Sequence, residues 1–348
     1  VEGKELVEGR NFKTAESNRL KFLDAIRGLA CLLVMAQHVF ERTYPGFERF
    51  SLDYLSIGMV GVVAFFLVSG FVIPLSLERI GSPWTFMIKR IFRIYPLYLF
   101  ILLFTTLWSM ANGNHVSLWT VIANVTIFAE YLKQPLLIGA AWTLSLELIW
   151  YLLFAVIYKF NLHKKTMTLI IYSSLAMVLL AIISLTANKI LPLGRAAYLH
   201  SCFVGLLFYR LHCREIQKKE FIKALSIATL AMAPAFYVTY GHFKHPFFSV
   251  TCVFLSWSAG YLLFSQLYRL RDIKLNPAIL YLGLTSYSIY LSHALIFAAY
   301  TTYADLTLPA GLLVFAMVIL ISHFTYRYIE APGIALGKKL SRLTAAPL

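Results

Sequence analysis

The chain has 348 residues, 59% of them hydrophobic and only 14% charged, with a formal net charge of +15. Soluble globular domains run at roughly 45–50% apolar and about 25% charged. This composition, with a mean hydropathy of +0.72, therefore excludes a disordered chain and argues against a soluble enzyme. Aromatic residues make up 16% of the chain, which suits repeated passage through bilayer interfaces. Cys31, Cys202, Cys213 and Cys252 lie scattered in apolar segments with no CxxC pair, a pattern of neither a disulfide framework nor a zinc site.

The first 18 or so residues are polar and mixed in charge, without the apolar stretch of a secretory signal. Residues 1–20 read as a cytoplasmic segment. Apolar stretches of bilayer-spanning length then follow one another, and ten spans are expected near 22–41, 56–77, 93–111, 141–158, 166–186, 194–211, 222–240, 246–267, 278–303 and 309–328. Residues 116–132 are ambiguous, being apolar but interrupted by Asn124, Thr126 and Glu130. Charge bias decides. If this segment does not cross and both ends are cytoplasmic, the inner segments hold 24 Lys and Arg and the outer segments 6. A crossing there would reverse every later loop and erase the bias.

The segment thus reads as an interfacial or re-entrant helix on the outer side. The expected fold is an all-α polytopic membrane protein of about ten transmembrane helices. Its transmembrane domain covers 21–332 and a cytoplasmic tail covers 333–348, with no soluble domain expected at either end. The basic charge is then topological, and nucleic-acid binding is the weaker reading.

An ionisable side chain at mid-bilayer costs about 2.5–3.5 kcal/mol on insertion scales, so each one asks for a cavity or a partner. The first span, RLKFLDAIRGLACLLVMAQHVF, places Asp24, Arg27 and His38 on one helical face. Arg27 and His38 are eleven residues, roughly 16 Å, apart along the axis. Taken alone, Arg27 has an ordinary explanation as a side chain reaching for headgroups. The aligned trio fits that explanation poorly. In the turn TFMIKRIFRIYP, Arg90 and Arg93 stand at i, i+3, where two guanidinium groups converge on one polyanion, although juxtamembrane arginines are also common anchors. Glu147 in AWTLSLELIWYLLF sits at about the depth of His38, which makes that histidine its expected partner. Ser286, Tyr290 and His293 line one face of LTSYSIYLSHALI, as suited to a polar helix contact as to catalysis. His323, Arg327 and Glu330 read as a structural anchor cluster.

Six motifs occur in order. They are Leu23, Asp24, Arg27, Gly28 and His38 of LDxxRGxAxxxVxxxH; Phe65, Phe66, Ser69, Gly70 and Phe71 of FFxxSGF; Arg90, Arg93, Ile94, Tyr95, Pro96 and Tyr98 of RxxRIYPxY; Trp142, Leu144, Ser145 and Glu147 of WxLSxE, followed by Trp150 and Tyr151; Ser286 to His293 of SYSxYLxH; and Tyr326 to Pro332 of YRxIExP. From Phe22 to Pro332 the chain resembles the membrane-bound acyltransferase family 3, whose members O-acylate glycans and other acceptors. Trp150 replaces the usual phenylalanine, and Ser292 a common tryptophan.

The resemblance implies an acetyl group moved from cytosolic acetyl-CoA to a glycan hydroxyl at the outer side of the membrane. Surface polysaccharide and lipopolysaccharide O-antigen are the family's commonest acceptors, and a bacterial inner membrane its usual location. Arg27, Arg90 and Arg93, with Asp24, would hold the donor. His38 would act as general base or carry the acyl group itself, oriented by Glu147. Ser69, Trp142, Ser145, Tyr151, Ser286, Tyr290 and His293 would line the substrate path. No metal is expected, and a homo-oligomer stays open. A transporter or flippase for a glycan, lipid or proton-coupled solute is the rival reading, because intramembrane Arg, His and Glu suit it too. Against it, no paired broken helices in two related halves are visible in the sequence.

Overall fold

The structure, a computed structural model, describes residues 20–343. The expected N-terminal segment, apart from Leu20, and residues 344–348 of the expected tail lie outside it. Among the described residues there is no strand. In chain order the helices are α1 (Lys21–Thr43), α2 (Phe47–Asp53), α3 (Ile57–Ile80), α4 (Pro83–Ala111), α5 (Leu118–Val125), α6 (Ala141–Lys159) and α7 (Thr166–Thr186). They continue as α8 (Leu193–His212), α9 (Lys218–Phe236), α10 (Val250–Arg269), α11 (Pro277–Leu284), α12 (Ser286–Thr301), α13 (Leu308–Thr325) and α14 (Ala331–Leu343).

Helix starts follow local chemistry. The hydroxyls of Ser56, Ser82, Ser117 and Ser249 accept from the backbone N–H three residues on, and Asn276 caps α11. Pro83 and Pro277 occupy first-turn positions where no intrahelical donor is lost.

By length and composition, eight helices among the described residues are able to cross a bilayer, or nine if α11 and α12, bent by 70°, form one broken span. α8 falls on the expected 194–211 span. Its 20 residues, about 30 Å, are long enough, but Arg195, His200, Arg210 and His212 dilute its apolar character. Those polar groups are tolerated because α8 packs inside the bundle against α3, α7 and α9. Arg210 is 2% exposed; it pairs with Glu78 at 2.5 Å and Glu215 at 2.9 Å, and donates to the His163 carbonyl at 2.7 Å. This clasp joins the ends of α3 and α8 to the turn before α7.

The segment 116–132 holds only the eight-residue α5 followed by turns, about 12 Å of helix and too short to cross. One expectation needs correction. Arg90 and Arg93 are not in a turn: α4 runs unbroken for 29 residues from Pro83, through Pro96. Residues 333–343 of the expected tail are helical. After a π-turn at Tyr326–Glu330 the last span continues directly into α14, which lies along α4.

Candidate active site

Two reciprocal glycine contacts set the depth of the site. A Cβ on Gly70 of α3 would lie 2.0 Å from the Cys202 carbonyl oxygen, and one on Gly205 of α8 would lie 2.2 Å from that of Leu67. Likewise Gly28 of α1 would meet the Ile279 carbonyl at 2.5 Å, and Gly283 of α11 that of Asp24 at 1.8 Å. Only glycine lets these backbones touch. The residues just before two of these glycines, Arg27 and Ser69, are thereby presented to one cavity.

That cavity encloses about 760 Å³ of empty space, its open mouth included, between α1, α3, α4, α6 and α12. Arg27, Arg90 and Arg93 line one end, together with Ser286 and Ile73. Ser69, Glu147 and Tyr151 form the middle, and Val62, Phe65, Thr143 and Tyr290 the other end. Arg90 is buried; its Nη2 donates to Ser76 Oγ at 2.6 Å, and its guanidinium lies over the rings of Phe86 (5.0 Å) and Tyr151 (5.6 Å). Arg27 and Arg93 lie within electrostatic range of each other and of Asp24, Glu147 and Glu330. Among the described residues, however, none of the three arginines closes an ion pair with a carboxylate. Arg90 Nε and Ser286 Oγ are buried without a hydrogen-bond partner. Unmatched donors on this wall favour an anionic, oxygen-rich occupant.

At the far end, the Tyr290 hydroxyl lies 3.0 Å from that of Thr143, and its ring contacts His293 at 5.5 Å between centroids. His293 in turn stacks on His38 at 5.4 Å. His38 is thus two rings away from the cavity wall, with its side chain 40% exposed. Its Nδ1 lies 3.6 Å from Glu41 Oε2, while Glu41 Oε1 accepts from Gln37 Nε2 at 2.5 Å and Ser51 Oγ at 3.4 Å.

The expected His38–Glu147 pair is therefore not formed. Glu147 Oε1 accepts from Tyr151 Oη at 2.5 Å and Ser69 Oγ at 3.4 Å, and the carboxylate beside His38 is Glu41. Similar depth on two helices does not bring two side chains together when their faces diverge. Trp142 and Ser145 are absent from the cavity wall; Ser145 donates to the Trp142 carbonyl on its own helix. The anchor cluster is also split. His323 Nδ1 bonds the Tyr281 hydroxyl at 2.5 Å, Arg327 lies over Tyr328, and Glu330 turns inward to accept from Ser288 at 2.7 Å.

Sequence reasoning missed Glu41, Ser76, Thr143 and Tyr287. Only Glu41 left a usable signal, since it stands at i+3 from His38 on the same helix.

A sequence model of an acyltransferase domain matches residues 20–327. The acyltransferase MdmB of Streptomyces mycarofaciens is 29% identical over 153 residues, covering 40% of each chain. The O-acetyltransferase OatA of Staphylococcus aureus is 23% identical over 375 aligned positions, covering 94% of this chain and 60% of its own. This chain thus spans less than two thirds of either relative's length. No solved structure matches. The polytopic helical bundle, the arginine-lined cavity and a match over nearly the whole described length show that this chain belongs to acyltransferase family 3.

Proposed function

We propose that this protein is an integral-membrane O-acyltransferase. It moves an acetyl group from cytosolic acetyl-CoA to a hydroxyl of a surface polysaccharide or lipopolysaccharide O-antigen at the outer face of a bacterial inner membrane. The observation that carries this reading is the polarity of the cavity. Three guanidinium groups without a paired carboxylate gather at one end, and the chain of ring contacts from Tyr290 through His293 to His38 stands at the other.

Arg27, Arg90 and Arg93 hold the donor's phosphates, and Ser286, Ser69 and Tyr290 line the way from them toward His38. Glu41, facing Nδ1, keeps the proton on that nitrogen and leaves Nε2 as the base. His38 takes the proton of the attacking hydroxyl as the new ester C–O bond forms and the thioester C–S bond breaks; that proton then passes to the departing thiolate. Glu147 acts at mid-cavity, where its negative charge offsets the three cations and its oxygen fixes Tyr151. The names of the relatives OatA and MdmB support acyl transfer, and the basic inner segments support the cytosolic side for the donor.

The test is purified protein with labelled acetyl-CoA and a host glycan extract. The expected result is acetyl ester on the glycan, together with thermal stabilisation by coenzyme A. Stabilisation by a solute alone, with no response to coenzyme A, would return the molecule to the carrier class.

A further inference from the structure

α14 is held against α4 by small residues recurring every four positions. A Cβ on Gly333 would lie 2.8 Å from the Phe92 carbonyl oxygen and one on Gly337 2.6 Å from Phe92 Cβ, while Ser341 is buried. Backbone contact of this kind fixes the register between the helices. It sets the exposed Lys338 and Arg342, at i and i+4, within electrostatic reach of Lys89 on α4.

The charged groups acting on Lys89 are Lys338, Arg342 and Arg90, all of one sign. Some basic side chains elsewhere do have an acidic neighbour in contact: Arg210 has Glu78 and Glu215, Arg195 has Glu130, and Arg271 has Asp272. Like charges held together by helix packing are unfavourable unless an anion joins them. Arg90 belongs both to this group and to the cavity wall, so the cationic end of the cavity continues onto an exposed surface.

We propose that Lys89, Lys338 and Arg342 form a phosphate site for the 3′-phosphate on the ribose of the coenzyme A donor, outside the diphosphate held by the three cavity arginines. This rests on the donor reading above. An anionic lipid headgroup carries the same phosphate chemistry, and the experiment separates the two.

The full chain is purified with K89Q and with the double variant K338Q/R342Q, whose altered side chains are exposed. KM is measured for acetyl-CoA and for 3′-dephospho-acetyl-CoA, and thermal shifts are measured with the two corresponding free coenzymes. The wild type is expected to favour acetyl-CoA by roughly tenfold in KM, the scale of one charged hydrogen-bonded contact. The variants lose that preference by raising KM for acetyl-CoA alone, and the thermal shift with coenzyme A falls to that with the dephospho form. An unchanged ratio of the two donors in the variants overturns the proposal. So does an effect seen only as weaker activation by phosphatidylglycerol vesicles, which would make the patch a lipid site. A wild type that neither uses nor binds either donor removes the donor reading itself, and this site with it.

Discussion

The imidazoles of His38 and His293 stack at 5.4 Å with 18° between their planes, joining the first helix of the bundle to the helix that forms one wall of the cavity. The two rings answer to different tasks. In the proposed reaction His38 is the base, and His293 holds it in place.

His38→Ala is therefore expected to abolish transfer, with a loss of at least about 100-fold in kcat and no loss of expression. His293→Phe keeps a ring against His38 and retains most of the rate, whereas His293→Ala loses a larger share. Initial rates with purified protein check all three. Near wild-type turnover in His38→Ala would remove its assigned role.

Arg90→Lys and Arg93→Lys are expected to raise the apparent donor KM about tenfold with little change in kcat. Lysine keeps the charge but cannot offer the planar pair of donors. Unchanged donor kinetics in both variants would reduce these residues to packing, since Arg90 already contacts Ser76 and two rings.

Glu147→Ala leaves Tyr151 without its acceptor and removes a carboxylate that acts on all three arginines. The expected cost is about 1–3 kcal/mol, read as a lowered Tm in detergent. Glu147→Gln retains an oxygen for Tyr151 and should cost clearly less. Equal Tm values for the two variants would contradict this account.

Gly70→Ala forces α3 away from α8, because the new methyl would sit 2.0 Å from the Cys202 carbonyl oxygen. A penalty of about 1–3 kcal/mol follows, with activity falling further than stability because Ser69 shifts too. A variant with wild-type Tm and rate would show that the two helices are not in backbone contact.

Arg210→Ala leaves Glu78 facing a vacated site and frees the turn holding His163. A loss of about 3–5 kcal/mol is expected, visible as poor recovery of folded protein. Arg210→Lys should restore part of it through the charge alone.

The positions of the bundle helices were legible because bilayer-length apolar stretches leave few alternatives, and the short α5 was legible from charge bias. Eight of the singled-out polar residues meet in one cavity: Arg27, Ser69, Arg90, Arg93, Glu147, Tyr151, Ser286 and Tyr290. What did not read out was azimuth. Depth along a helix follows from counting residues, but which neighbour a face meets depends on packing. Glu147 thus finds Tyr151 and Ser69 rather than His38. The π-turn at Tyr326–Glu330 is a second case. The extra residue in that turn shifts the phase of the helix, so Glu330 faces Ser288 while His323 faces Tyr281. The early start of α4 was written in Ser82–Pro83, a cap followed by a first-turn proline.

α1 carries Arg27 and His38 on one unbroken helix, with no proline between them. However the neighbouring helices are arranged, the spacing of these two side chains along their shared axis stays constant. The segment works as a fixed ruler: a molecule reaching from one to the other must bring its own length to match.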